Sequence, residues 1–370
     1  MIYFISAQKT RRMLMEQKKR NNLIDALKCL ACLAVILLHF PTNEYGDRFV
    51  YFQTAIGRCG VPLFFMASGY FFGLKRDEAK SGRYLKNALR MAIYYIVFEV
   101  ALFMLNALVQ VIMGNEPVFS AIDISKRSIL EFLIVNEPLY ASHLWYILAY
   151  MYCLLIYAVI VRYKVAGKIV AVLTPVLLIG YHVLGRYSVI FFDQKLDHTI
   201  VRNFLFAAIP MFTVGYYLDK IKAPSKTKGG MIVLIILSFL CLHFESMSFF
   251  RSRAIDNGRN NYIFNFIAAF LIIKYITTCG KNVSEDNPLA VIGRKYSLYI
   301  YVFQYVASRM LNVIVHYTKD TSLGRHFSNI YSFSKPLMIF GFALIMAVAA
   351  YNVEKLITSA IGKLKNNKKA

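Results

Sequence analysis

Leu23–Phe40 reads LIDALKCLACLAVILLHF, and apart from Asp25, Lys28 and His39 its side chains are apolar or small. At about 1.5 Å per residue, a helix over this run covers most of a roughly 30 Å hydrocarbon core. The run begins too far from the first residue, and lacks the small-residue cleavage site, to read as a secretory signal peptide. Nine further apolar segments follow, at 50–73, 91–113, 144–161, 168–184, 203–218, 231–244, 262–278, 297–316 and 335–357. Those at 203–218 and 231–244 are the shortest and carry the weakest signal. The 370-residue chain is 58% hydrophobic and 17% charged, with a mean hydropathy of +0.49. Soluble domains run nearer 45–50% apolar and about 25% charged. An ordinary soluble enzyme is therefore excluded. With 9 Pro, 19 Gly and 6 Cys, so are a disordered chain, a collagen and a disulfide scaffold. The expected fold class is all-α, a polytopic transmembrane helical bundle of about ten transmembrane helices.

The net charge of +23 raises the question of nucleic-acid binding, and the distribution of the basic residues answers it. With a cytoplasmic N-terminus, the inside segments hold 27 Lys and Arg residues and the outside segments 12. This alternating excess is the positive-inside signature. It predicts an even number of spans, both termini cytoplasmic, a multi-pass protein of the plasma or inner membrane, and no nucleic-acid partner. No internal repeat or long polar linker divides the chain. The expected organisation is a basic cytoplasmic segment at 1–22, one membrane domain at 23–357 and a lysine-rich cytoplasmic tail at 358–370.

Ionisable side chains within spans cost roughly 2.5–3.5 kcal/mol on insertion scales and mark function by default. Lys28 and His39 lie eleven positions apart, which is about 16 Å of rise and close to three full turns. Both therefore point to one face of the first helix at different depths. The same spacing also fits a Lys28 that snorkels to the interface and a His39 that merely ends the helix. Glu99, in the third span, needs a proton or a partner, and Arg58 and Lys28 are both candidates. Ser142-His143-Leu144-Trp145-Tyr146 opens the fourth span, where the only Trp of the chain also fits an aromatic-belt anchor. Cys29 and Cys32 have redox spacing but sit in an apolar helix, so a structural role is expected. The histidines show no metal-ligand spacing, and no metal is expected. No phosphate-binding loop, dinucleotide fingerprint or nucleophile elbow is present.

Five blocks in order resemble the acyltransferase 3 family of integral membrane acyltransferases. Asn22–Lys28 with the apolar run to His39 resembles its basic-x10-His first span. Val61-Pro62-Leu63-Phe64-Phe65-Met66-Ala67-Ser68-Gly69-Tyr70 resembles its second-span block. His143-Leu144-Trp145 matches a third, the stretch from Arg202-Asn203-Phe204 to Gly215 a fourth, and Tyr296–Tyr301 a late span. The chain departs from the pattern at Asn87, where relatives carry the first arginine of an R-x-x-R pair completed here by Arg90, and near Gln304, where many have His. The resemblance implies an O-acyltransferase that moves an acyl group, usually acetyl, from cytoplasmic acyl-CoA to a hydroxyl of a cell-surface or lipid-linked saccharide. Under that reading the partners are acetyl-CoA as donor, a saccharide acceptor and membrane lipid. His39, Glu99 and Asp25 are the expected catalytic groups, and Lys28, Lys86 and Arg90 the expected acyl-CoA contacts. Ser68, Arg58, His143 and Trp145 are expected at the substrates. The same blocks resemble the membrane half of resistance-type serine racemases, so a transporter of a small polar solute such as serine is the alternative.

Overall fold

The computed structural model describes residues 21–76, 80–114, 125–252 and 261–367. Residues 1–20 of the basic segment and the last three residues of the lysine tail lie outside the described residues. The described chain is helical throughout, with no strand among the described residues. Its helices are α1 (Asn22–His39), α2 (Asp47–Gly57), α3 (Gly60–Gly73), α4 (Ser81–Ile112), α5 (Lys126–Val135), α6 (Trp145–Ile160), α7 (Lys164–Val183), α8 (Ser188–Phe192), α9 (Ile209–Tyr216), α10 (Lys228–Arg251), α11 (Ile263–Thr278), α12 (Pro288–Lys295), α13 (Ser297–Thr318) and α14 (Ser322–Asn367).

Eight helical stretches are long and apolar enough to cross a membrane, and Phe204–Tyr216 and Ile263–Thr278 are shorter apolar helices. The expected all-α polytopic bundle is thus what the chain forms. The weak signals sort differently from expectation. Segment 231–244 belongs to the 24-residue α10, whereas 203–218 is short because a π-helical turn at Phe204–Ala208 precedes α9. The second span is two helices, broken at Arg58–Cys59. The last is bent at Ser334, whose backbone leaves the helical region just before Pro336. Proline removes a donor and clashes with the preceding turn, which accounts for the bend.

The spans form two tiers. In the windows of α1, α2–α3, α6 and α13, 56–67% of residues are buried, against 22% for α4, α7, α10 and α14. The outer helices expose large apolar side chains, such as Ile93, Ile96, Val97 and Val100 on α4 and Ile232, Val233, Ile236 and Leu240 on α10. In water such stripes would be a liability; in lipid they are the solvent-matched surface. The inner helices approach through small residues. Gly57 and Gly60 press on the Ala31–Leu38 backbone of α1, and Gly293 of α12 lies on the Asp25 carbonyl. Between α3 and α9, Gly69 faces the Phe212 carbonyl, Gly73 the Tyr216 carbonyl and Gly215 the Met66 carbonyl. Lipid offers helices no hydrophobic force toward each other, so close backbone contact of this kind supplies the association energy.

Alanine at Gly69 or Gly215 would drive its Cβ into a facing backbone carbonyl that cannot step aside. Each substitution is expected to destabilise the protein by about 1–3 kcal/mol or more, read as a lower thermal midpoint in lipid nanodiscs. Gly341→Ala, where nothing lies within 4 Å of the added carbon, is the matched control and should leave the midpoint unchanged or raise it.

Candidate functional site

The α3–α9 contact determines what Ser68 does. With Gly69 and Gly73 turned into α9, Ser68 points away from it, into a cleft of about 160 Å³ lined by Lys28, Phe64, Met91, Tyr146, Tyr150 and Tyr301, among others. Tyr146 and Tyr150 stand one turn apart on α6, and both hydroxyls face that of Ser68. Lys28 enters from α1. Its ammonium lies 3.1 Å from Asp25 and 5.8 Å from the Phe71 ring centroid. Arg83, at the start of α4, stacks 4.6 Å over Phe72 and acts electrostatically on Tyr84 and Tyr150. The cleft therefore has Lys28 at its α1 N-terminal end, within the field of Arg83, and a row of hydroxyls within.

Tyr301 closes the far side. Its hydroxyl donates to the carbonyl oxygen of His143. One helical turn on, Tyr305 packs its ring 4.5 Å from that of His143 and 5.4 Å from that of His39. His143 Nε2 lies 3.1 Å from the Val302 carbonyl, which fixes that nitrogen as the protonated one. His39 keeps an accessible ring surface although protein surrounds it on most sides, the arrangement of a group lining a crevice. Arg58 and Arg202 act on it electrostatically, and His143 lies across the Tyr305 ring.

The loop bearing His143 and Trp145 is held from two directions. Glu99 on α4 accepts from the Tyr95 hydroxyl at 2.6 Å and from the backbone N–H groups of Tyr140 and Ala141 at 3.4 and 3.0 Å. On the other side, buried Asn136 ends α5 in the left-handed region, at φ 53°. Its side-chain oxygen accepts from the Phe204 N–H at 2.7 Å. That junction delivers Glu137 to Arg202, whose Nη2 lies 2.9 and 2.8 Å from the two carboxylate oxygens. The Arg202 guanidinium also lies 5.6 Å from the Trp145 ring centroid.

The expected site residues thus divide into groups. Lys28 and Ser68 share the cleft, while His39, His143, Arg58 and Trp145 gather beyond Tyr301. Glu99 turns to the 139–141 loop rather than to Arg58 or Lys28, and supports the turn that carries His143. Asp25 sits 14 residues before His39 on the same helix, about 21 Å away along its axis, and pairs with Lys28. Neither carboxylate stands beside His39. Lys86 is exposed, and Arg90 is directed to Tyr94 at 3.1 Å and Glu354 at 3.6 Å on the outside of α4, away from the cleft. Of the basic residues at the start of α4, Arg83 is the one that acts on Tyr150 of the cleft. Sequence reasoning also passed over Tyr146, Tyr150, Tyr301 and Tyr305, although their i, i+4 spacing places each pair on one helix face. Among the described residues no group of His, Cys, Asp and Glu has the geometry of a metal site. The cysteines are unbridged, and Cys29 and Cys32 are buried in α1.

This is a polytopic membrane protein with an internal, hydroxyl-lined cleft that has Lys28 at one end and an imidazole-containing crevice beyond the other. The sequence model described as the acyltransferase domain matches residues 21–351, nearly the whole chain. The chain belongs to that family, and it is an acyltransferase. No curated protein and no solved structure matches it.

Glu137 lies between spans, and its burial raises its pKa above the usual carboxylate range, with Arg202 opposing the shift. An acid whose folded pKa exceeds its unfolded one loses stability as pH rises between the two values. Thermal stability in nanodiscs should therefore fall as pH climbs from the ordinary glutamate range through the raised value. Glu137→Gln should remove that slope; a slope of equal size in the variant would place its origin elsewhere.

Proposed function

We propose that the chain transfers an acyl group, acetyl in the simplest case, from cytoplasmic acyl-CoA to a hydroxyl of a cell-surface or lipid-linked saccharide. One observation carries this reading. Lys28 and His39 share a face of α1, with the hydroxyl-lined cleft beside the first and the accessible imidazole about 16 Å further along. Acyl-CoA has anionic phosphates at one end and a thioester at the end of a long flexible arm. Lys28 and Arg83 suit the phosphates, and the cleft is a path for the arm toward His39.

In the proposed reaction the acceptor hydroxyl attacks the thioester carbonyl while His39 takes its proton. The tetrahedral intermediate collapses, the carbon–sulfur bond breaks, and the departing thiolate recovers the proton from the imidazolium. A transient acyl-imidazole gives the same products in two steps. The Ser68 hydroxyl, facing two tyrosine hydroxyls, is suited to donate to the carbonyl oxygen as negative charge grows there. Net charge is conserved throughout, which matters in a site enclosed by hydrocarbon.

Label transfer from radioactive acetyl-CoA in inside-out vesicles containing native glycans tests the reading. Wild-type vesicles should label glycan or lipid-linked sugar, and His39→Ala, inserted at wild-type level, should fall by at least 10²-fold, the scale of a lost general base. Lys28→Ala should raise the KM for acetyl-CoA about tenfold with a smaller change in kcat, as expected for a lost charge-assisted contact. Absence of label with wild type, native acceptors being present, would refute the reading and return serine uptake to the bench.

A further inference from the structure

Arg202 is fixed on two sides before any ligand arrives. Glu137 spans its Nη2 with both carboxylate oxygens, and the Trp145 indole lies beneath the guanidinium. The two charged side chains still expose 22% and 19% of their surface, and Trp145 is half-buried. Arg202 Nε is enclosed, so what the guanidinium offers a ligand is the 22% of its side chain that stays exposed beside the Glu137 pair. Its charge acts on His39, Tyr301 and Tyr305, which places this assembly at the imidazole crevice, on the side away from Lys28.

A planar donor and a carboxylate acceptor, held side by side next to an aromatic face, match one class of ligand well. Saccharides present adjacent hydroxyls, each able to donate and accept, and a face of C–H groups that packs on indole. Arg202 already has its counter-charge in Glu137, so the assembly offers no net charge to an anion. We infer that Arg202, Glu137 and Trp145 form a subsite for a neutral sugar unit, with Arg202 and Trp145 in contact with it and Glu137 acting as a ligand and as the positioning residue for Arg202. That this sugar is the acyl acceptor rests on the function proposed above; its binding does not.

Trp145 is the only tryptophan in the chain, so its fluorescence reports on this place alone. Purified full-length protein in nanodiscs, free of glycoside detergent, is titrated with neutral methyl glycosides and short neutral oligosaccharides, with methyl glucuronide as an anionic counterpart. At least one neutral glycoside should give a saturable change in emission. Arg202→Gln should weaken that response about tenfold or more, and Arg127→Gln, an exposed arginine paired with Glu131 on α5, should leave it unchanged. Glu137→Gln should weaken it less than Arg202→Gln does. No saturable response to any neutral glycoside, a response to the glucuronide alone, or equal affinity in Arg202→Gln would overturn the inference. Acetyl transfer measured in the same nanodiscs separates the two ideas. Glycoside binding that depends on Arg202, without transfer to any glycan, supports the subsite and removes the acyltransfer reading from it.

Discussion

The contact between α3 and α9 governs the interior of this bundle. Three glycines lay backbone on backbone there, so one face of α3 is spent on packing. Ser68, about 100° round the helix from Gly69, is left facing the cleft. Close packing and an internal polar surface thus come from neighbouring residues of one short helix.

A second constraint comes from the lipid. Every backbone polar group at membrane depth needs an internal partner, and irregular backbone survives only where protein surrounds it. The chain puts its breaks in such places. The Arg58–Cys59 interruption, the π-turn at Phe204–Ala208 and the Asn136 left-handed turn all lie at or near the end of the bundle that carries His39. Asn136, Asn203 and Glu99 supply the missing partners from side chains. Asn203 alone accepts from Leu205 and Phe206 and donates to the Thr199 and Ile200 carbonyls. Ordered irregularity of this sort holds side chains at angles that a continuous helix does not provide.

The fold was legible in the sequence because its signal is collective. Span-length apolar runs mark the helical bundle even where one run, 203–218, was too short to stand alone. The site was legible where the helical period applies, as with Lys28 and His39 on one face of α1. Ser68 and Trp145 came from the family blocks rather than from physics. What stayed hidden depends on contacts between distant segments. Glu99 looked like a charge in need of a cation, yet its partners are a tyrosine and two amides forty residues away, which no periodicity announces. Arg90 matched a family position but turns to Tyr94 and Glu354, whereas Arg83, two turns earlier on the same helix, lies over Phe72 and acts on Tyr150. The pairing of Glu137 with Arg202 depends on the Asn136 turn, which is invisible to any local pattern.

Between the cleft at Lys28 and the crevice at His39 stands a layer of rings, with Phe64, Phe65 and Tyr146 packed together and Tyr301 against Tyr146. In electrical terms this layer is an insulator. Moving one elementary charge through a membrane potential of 100 mV is worth about 2.3 kcal/mol, and a continuous wet passage would let protons run down that gradient. Phe64, Tyr146 and Tyr301 of this layer also line the cleft, so the interior between the two places has an apolar, low-dielectric wall rather than one that would hold a column of water. Any widening of the passage for a larger cargo would be limited by the leakage current the host membrane can tolerate.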